Sequence, residues 1–187
     1  MAGQDRRFGA RDAMSALPAG TARFEDLAQA GMLSTRTLFS YWRQTSRDGI
    51  PLQRHEIDPA ALRDILPFLL LGDIETEPFR VLFRLVGTGV ADFSRQDFSG
   101  KYLDELVYSA RDSISWADCY RYVHDERIGV IGVNDLHFAD DRITSYEFAI
   151  LPLARGADPA GSFIAIEAYD NFDRLSIPDL EPVARRP

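Results

Sequence analysis

Apolar and polar positions alternate most clearly in FRVLFRLV, residues 79–86, with the period of two that a half-buried strand requires. Phe79, Val81, Phe83 and Leu85 share one face; Arg80, Leu82, Arg84 and Val86 share the other. Residues 68–74 read as the preceding strand and Glu77-Pro78 as the turn of a hairpin. Residues 130–138, 143–153 and 162–169 are three further β-rich runs. Asp140-Asp141 predicts a tight turn between the first two, and the Gly/Pro/Asp stretch 154–161 a longer loop.

Between and before these runs the spacing is helical. Leu38, Phe39, Tyr41, Trp42 and Thr45 fall on one side of a helix over 34–48, capped by Ser34 and ended by Gly49-Ile50-Pro51. So wide an apolar stripe packs either on its own domain or on a second subunit. Asp58-Pro59 predicts an N-cap and first turn for a short helix over 60–66, stopped by Pro67. Residues 87–95 bend into a helical segment, and Ser99-Gly100-Lys101 opens another through Leu103 and Leu106. Ser109 with Asp112 forms a capping-box pattern for a helix through Trp116, Tyr120 and Val123 to Gly129.

Residues 1–33 show no sustained periodicity and read as a flexible arm with one short helix around 24–30. Residues 34–66 are a helical extension, 67–170 the core, and 171–187, with three prolines, an extended tail. Two strands, a helical middle and three strands can close one five-stranded antiparallel sheet. Helices would cover one face, an α+β arrangement.

Composition narrows the function. A chain of 187 residues buries enough surface to fold without a disulfide or metal. Its single cysteine, Cys119, rules out an intramolecular disulfide and a cysteine-based zinc site. No stretch approaches 18 apolar residues and the start lacks an apolar signal core, so a cytoplasmic location is the expectation. Net charge is −8, with residues 1–63 at +2 and 64–187 at −10. An acidic body argues against nucleic acid as a partner. The 20 Arg against the lone Lys101 reads as genome composition.

Candidate chemistry is sparse. Gly87-Thr88-Gly89-Val90-Ala91-Asp92 follows a strand, but Asp92 stands where a dinucleotide fingerprint needs glycine, and no βαβ unit surrounds it. These glycines are expected to supply backbone freedom at a sharp corner. His55, His124 and His137 form no metal-ligand spacing, and Cys119 has no nucleophile context. The pairs Asp104-Glu105, Asp125-Glu126 and Asp140-Asp141 read as solvated edges. Arg84 lies between Leu82 and Val86 and is expected over the outer surface; alternatively it holds a ligand carboxylate or pairs with an acid such as Glu147. Tyr146, Phe148 and Ile150 share a strand face. With Phe83, Leu85, Trp116 and Tyr120 they fill the space between sheet and helices, as a solid core or as an aromatic-lined pocket.

Taken in order, Tyr41-Trp42, Ile57-Asp58-Pro59 with Ile65-Leu66-Pro67, Arg84 to Thr88, Gly100 to Leu106 and Leu151-Pro152-Leu153 resemble PAS sensor domains. The likeness is to stand-alone bacterial PAS proteins formerly grouped as a domain of unknown function, and it covers roughly residues 36–170. The resemblance implies a five-stranded antiparallel sheet, a cleft between sheet and helices, and dimerisation through a helix ahead of the first strand. Relatives bind haem, flavins, small carboxylic acids or nothing. Neither haem nor flavin carries over, because no flavin-type motif surrounds Cys119 and no haem-ligating histidine stands out.

The expectation is therefore a non-enzymatic sensory or regulatory module with an unknown signalling partner. Phe83, Leu85, Trp116, Tyr120, Tyr146 and Phe148 are its expected ligand-binding residues, with Arg84 an anchor if its face turns inward. A homodimer through the helix of Tyr41 and Trp42 is expected, with no metal, no catalytic residue and no membrane. Two alternatives stay open: a small α+β cavity enzyme of isomerase or dehydratase type, and a structural dimerisation module with a filled core.

Overall fold

The computed structural model describes residues 16–46, 51–106, 114–137 and 143–169. The Ser109–Asp112 capping box, the Asp140-Asp141 turn, the C-terminal tail, residues 1–15 of the arm and the end of the first helix at Asp48 lie outside them.

Among the described residues six strands form one sheet: β1 (Thr21–Phe24), β2 (Leu69–Thr76), β3 (Phe79–Val86), β4 (Gly129–His137), β5 (Ile143–Arg155) and β6 (Asp158–Ala168). Their order is β1-β4-β5-β6-β2-β3, with every neighbouring pair antiparallel. The last strand thus lies between its hairpin partner and the first strand of the core. This closes the five strands that the sequence predicts into one α+β sheet. The sixth, β1, comes from the segment expected as an arm and pairs Thr21–Phe24 with Gly132–Gly129. The expected short helix at 24–30 is a single 3-10 turn, Leu27–Gln29, capped by Asp26.

Residues 154–161 form no long loop. Arg155 pairs with Asp158, and Gly156, at φ +62°, makes the turn of a tight β5–β6 hairpin. A local reading of Gly, Pro and Asp registers the turn residues but not the ladder that pairs right up to them.

Among the described residues three α-helices accompany the sheet: α1 (Leu33–Thr45), α2 (Thr88–Ser94) and α3 (Trp116–Glu126). The core helices α2 and α3 lie on one face, as expected, and α1 of the N-terminal extension lies on the other. Val123 and Tyr120 of α3 and Val90 and Phe93 of α2 join the core built on Phe83, Phe148 and Phe163. Leu38 and Phe39 of α1 join a second core with Leu151, Leu153, Ile164 and Ile166. The first will be termed the inner face and the second the outer face.

The α1 stripe is consumed within its own chain. Phe39 stacks on Phe24 at 4.0 Å, Trp42 Nε1 donates to the Pro152 carbonyl at 2.8 Å, and Tyr41 Oη accepts from the Asp58 amide at 2.7 Å. Residues 59–65 turn repeatedly rather than forming the expected helix, ending in a 3-10 turn at Leu66–Phe68. Asp58 caps them by accepting the Ala60 amide.

Ser34 does not cap α1. It lies inside the helix, and the N-cap is Met32, which makes no side-chain cap bond. The buried Glu147 carboxylate of β5 instead accepts the amides of Gly31 at 2.8 Å and Met32 at 3.1 Å. A negative charge at a helix N-terminus satisfies its orphan donors and its dipole together. A cap supplied from 115 residues away leaves no local trace.

At the Gly-Thr-Gly corner the glycines answer to space. Gly87 has φ −62°, which any residue adopts. A Cβ there would lie 2.3 Å from the Pro67 carbonyl oxygen, and one on Gly89 2.6 Å from the Phe68 ring. The corner packs against the chain preceding β2, so backbone freedom is not the reason for glycine here.

Candidate functional site

The inner face follows from strand alternation plus one irregularity. In β5, Tyr146, Phe148 and Ile150 point inward; in β6, Phe163 and Ala165 do the same. In β3, Leu71 of the partner strand pairs with Leu85 but Gly72 pairs with Phe83, so Arg84 is an extra residue in a β-bulge. Phe83 is therefore buried inward while both Arg84 and Leu85 turn out, Leu85 being 43% exposed. Leu85 does not line the inner face as expected, because the bulge inverts the alternation after Phe83. Arg84 is likewise not an inward anchor. Its Nε donates to Asp73 at 2.7 Å, the acidic pairing anticipated for it but with a different partner, since Glu147 caps α1.

The other predicted residues do come together. Phe83 meets Tyr120 at 6.0 Å, Phe163 at 5.8 Å and Phe98 at 4.8 Å, all edge-on. Tyr120 meets Phe163 at 4.6 Å, and Trp116 meets Phe148 edge-on at 4.7 Å. Edge-on packing sets the positive rim of one ring against the negative face of the next. Gly72 makes room for this cluster, because a Cβ there would stand 2.4 Å from the Phe163 ring.

Towards the far end of β4, β5 and β6 the inner face turns polar. Asn134 Nδ2 donates to Tyr146 Oη at 3.1 Å. Tyr146 packs on Tyr169 at 5.0 Å, and Tyr169 stacks on Phe93 at 3.9 Å and donates to the Glu167 carboxylate. Burial, then the negative charge of Glu167, raises the Tyr169 phenol well above its ordinary pKa, so it stays a neutral donor. An amide, two phenols and a carboxylate among aromatic walls can fix the orientation of a small polar molecule through hydrogen bonds. Of this group only Tyr146 is among the ligand-binding residues expected from the sequence. Asn134 and Glu167 lie at alternate strand positions, in phase with Tyr146 and Phe163, and Tyr169 continues that phase just past β6; the periodicity is the signal available in the sequence.

Elsewhere the chemistry is quiet. Cys119 is fully buried in α3, and burial followed by the neighbouring Asp118 pushes its thiol up to about 12, which keeps it protonated and inert. Among the described residues, no group of three or more His, Cys, Asp or Glu could hold a metal ion. His55 is exposed on the 3-10 turn Arg54–Glu56, and His124 of α3 contacts Asp125 and Asp158. The side chain of His137 is not among those described. Among the described residues no helix is long and apolar enough to cross a membrane.

Residues 31–166 match the family described as PAS domain. No curated protein matches the chain. The match spans most of the sequence and the five-stranded core up to Ile166 in β6, and the chain belongs to the PAS domain family.

Proposed function

We propose that this PAS domain is a non-enzymatic sensory or regulatory module whose inner sheet face receives a small polar ligand. The observation that carries the reading is the set of buried Asn134, Tyr146 and Tyr169, with half-buried Glu167, against an otherwise aromatic core. Buried polar groups cost stability relative to apolar ones of the same shape, so such a set in a domain core calls for a use. Phe83, Tyr120 and Phe148 provide the apolar wall, and Trp116 closes it from α3. Occupancy would shift the packing of α2 and α3 against β4–β6 and pass a signal to a partner by a change in population.

Native mass spectrometry of the purified protein against its denatured mass tests this. A reproducible mass excess, lost in Tyr146→Phe and reduced in Trp116→Ala, is the expected result. No excess, together with no binder in a small-molecule thermal-shift screen, would turn the reading towards a filled core that serves association alone.

Association with a second copy is a further part of the proposal. The Tyr41 and Trp42 side of α1 is taken by the chain's own sheet, so a homodimer through this helix would use its solvent face. Leu33, 74% exposed at its start, and Val133, 54% exposed on the neighbouring stretch of β4, favour that side. Light scattering at tens of micromolar should give a dimer that Leu33→Glu dissociates; a wild-type monomer would remove this element.

A further inference from the structure

On the outer face three arginines from separate parts of the chain converge on one buried acid. The Asp73 side chain is 2% exposed. Its Oδ2 accepts from Arg84 Nε at 2.7 Å, and its Oδ1 from Ser162 Oγ at 2.8 Å and Arg54 Nη1 at 3.2 Å. Arg155 Nε stands 4.0 Å from the same Oδ1. Arg84 and Ser162 already give each carboxylate oxygen a partner. Arg54 and Arg155 therefore bring charge beyond what the acid needs, and three cations against one anion leave a local surplus of two. The chain as a whole is acidic, at −8.

The guanidinium groups are both held and open. Arg54, Arg84 and Arg155 keep 46%, 47% and 50% of their side-chain surface in solvent. Each guanidinium carries five N–H donors, and Asp73 engages only one of Arg54 and one of Arg84. Among the described residues, the side-chain contacts of all three lead to Asp73. The backbone around them is pinned. Gln53 Nε2 donates to the Gly156 carbonyl at 3.1 Å, the Gly156 amide returns to Gln53 Oε1 at 3.2 Å, and the Ala154 amide donates to the Leu52 carbonyl at 3.0 Å. The neighbours of Arg54 are thereby clamped to the neighbours of Arg155. Asp73 thus holds two forks by hydrogen bonds with the Arg155 guanidinium standing beside them, and forks held in place lose little freedom on meeting an anion.

The geometry points to a binding site for a dianionic oxyanion of the phosphate type, free or as a small monoester, cupped by Arg54, Arg84 and Arg155. A tetrahedral dianion matches the surplus of two, and its oxygens suit several forks at once, whereas a carboxylate offsets only half the charge. The site lies on the opposite side of the sheet from the Asn134–Tyr169 group and does not depend on a ligand there.

The test is a titration of the full chain with inorganic phosphate at pH 8 and constant ionic strength, followed by backbone amide NMR. Sulfate serves as a dianion with no nearby pKa, acetate as a monoanion, and glycerol phosphate as a monoester. Saturable shifts at residues flanking Arg54, Arg84 and Arg155 are expected with phosphate and sulfate, with acetate at least about tenfold weaker. Phosphate, but not sulfate, should weaken as pH falls through the second phosphate pKa, around 6–7. Arg54→Gln and Arg155→Gln should each lose about tenfold in affinity. Both leave Asp73 with Arg84 and Ser162, and an unchanged melting temperature would verify the fold. Tighter binding of glycerol phosphate would assign the site to monoesters, and equal binding to the free ion. Shifts that do not saturate below about 10 mM, acetate binding as well as phosphate, or variants that bind like the wild type would overturn the inference.

Discussion

Strand β6 looks two ways. Phe163 and Ala165, with Tyr169 just past the strand's end, belong to the core under α2 and α3, whereas Ile164 and Ile166 belong to the core under α1, with Ser162 beside Asp73. The inner side is dominated by aromatic rings and ends in a buried polar group. The outer side is mainly aliphatic and holds its charges in two fixed devices, Glu147 capping α1 and Asp73 holding arginines. The inner rings meet edge-on, with the directional preferences that such contacts carry. The outer side is tied by hydrogen bonds to charged groups, which have one good geometry and resist adjustment. Each face also carries one of the two tryptophans, Trp116 inside and Trp42 outside, so each can report on its own side.

The comparison can be broken most forcefully at β3. Phe83→Ala empties the centre of the inner ring cluster and should cost about 3–5 kcal/mol in chemical denaturation. A loss under about 1 kcal/mol would mean that the inner side is loosely packed.

Next in size is Asp73→Asn, expected to cost about 2 kcal/mol at neutral pH by removing the acceptor of charged hydrogen bonds. Burial alone would raise this carboxyl, but the hydrogen bonds from Arg84 and Ser162 and the charges of Arg155 and Arg54 outweigh it and leave its pKa lowered. The stabilisation is therefore fully present above the unfolded carboxylate value, about 3.9, and is lost as pH falls through the lower folded value. The gap between wild type and Asp73→Asn should close below about pH 4; a gap independent of pH would show that charge is not its source.

Glu147→Gln comes third, at about 1 kcal/mol, because a neutral acceptor still bonds one amide but loses the helix-dipole term. Emission from Trp42, measured with Trp116 replaced by Phe, should report loosening of α1. An unaltered transition would refute the capping role.

The smallest effect sharpens the comparison most. Leu85→Ala should cost no more than about 0.5–1 kcal/mol, although strict alternation puts Leu85 beside Phe83. A cost comparable to that of Phe83→Ala would deny the bulge.

Much of this protein is legible in one dimension. The period-two run at 79–86, the helical spacing of Trp116, Tyr120 and Val123, and the β-rich last third give the elements of the core, because each depends on neighbours within a few residues. The order of motifs from Tyr41-Trp42 to Leu151-Pro152-Leu153 gives the family for the same reason. What tertiary structure decided are the relations across the chain. The bulge that turns Arg84 and Leu85 outward exists only in the pairing of β3 with β2. The cap on α1 comes from β5, the glycines of the corner answer to Pro67 and Phe68, and the three arginines meet at Asp73 because β5, β6, β2 and β3 lie side by side and the Gln53–Gly156 clamp brings Arg54 to them. Local pattern fixes which face of an element is apolar. What that face meets depends on contacts between residues tens of positions apart, and those exist only once the loops between them have closed.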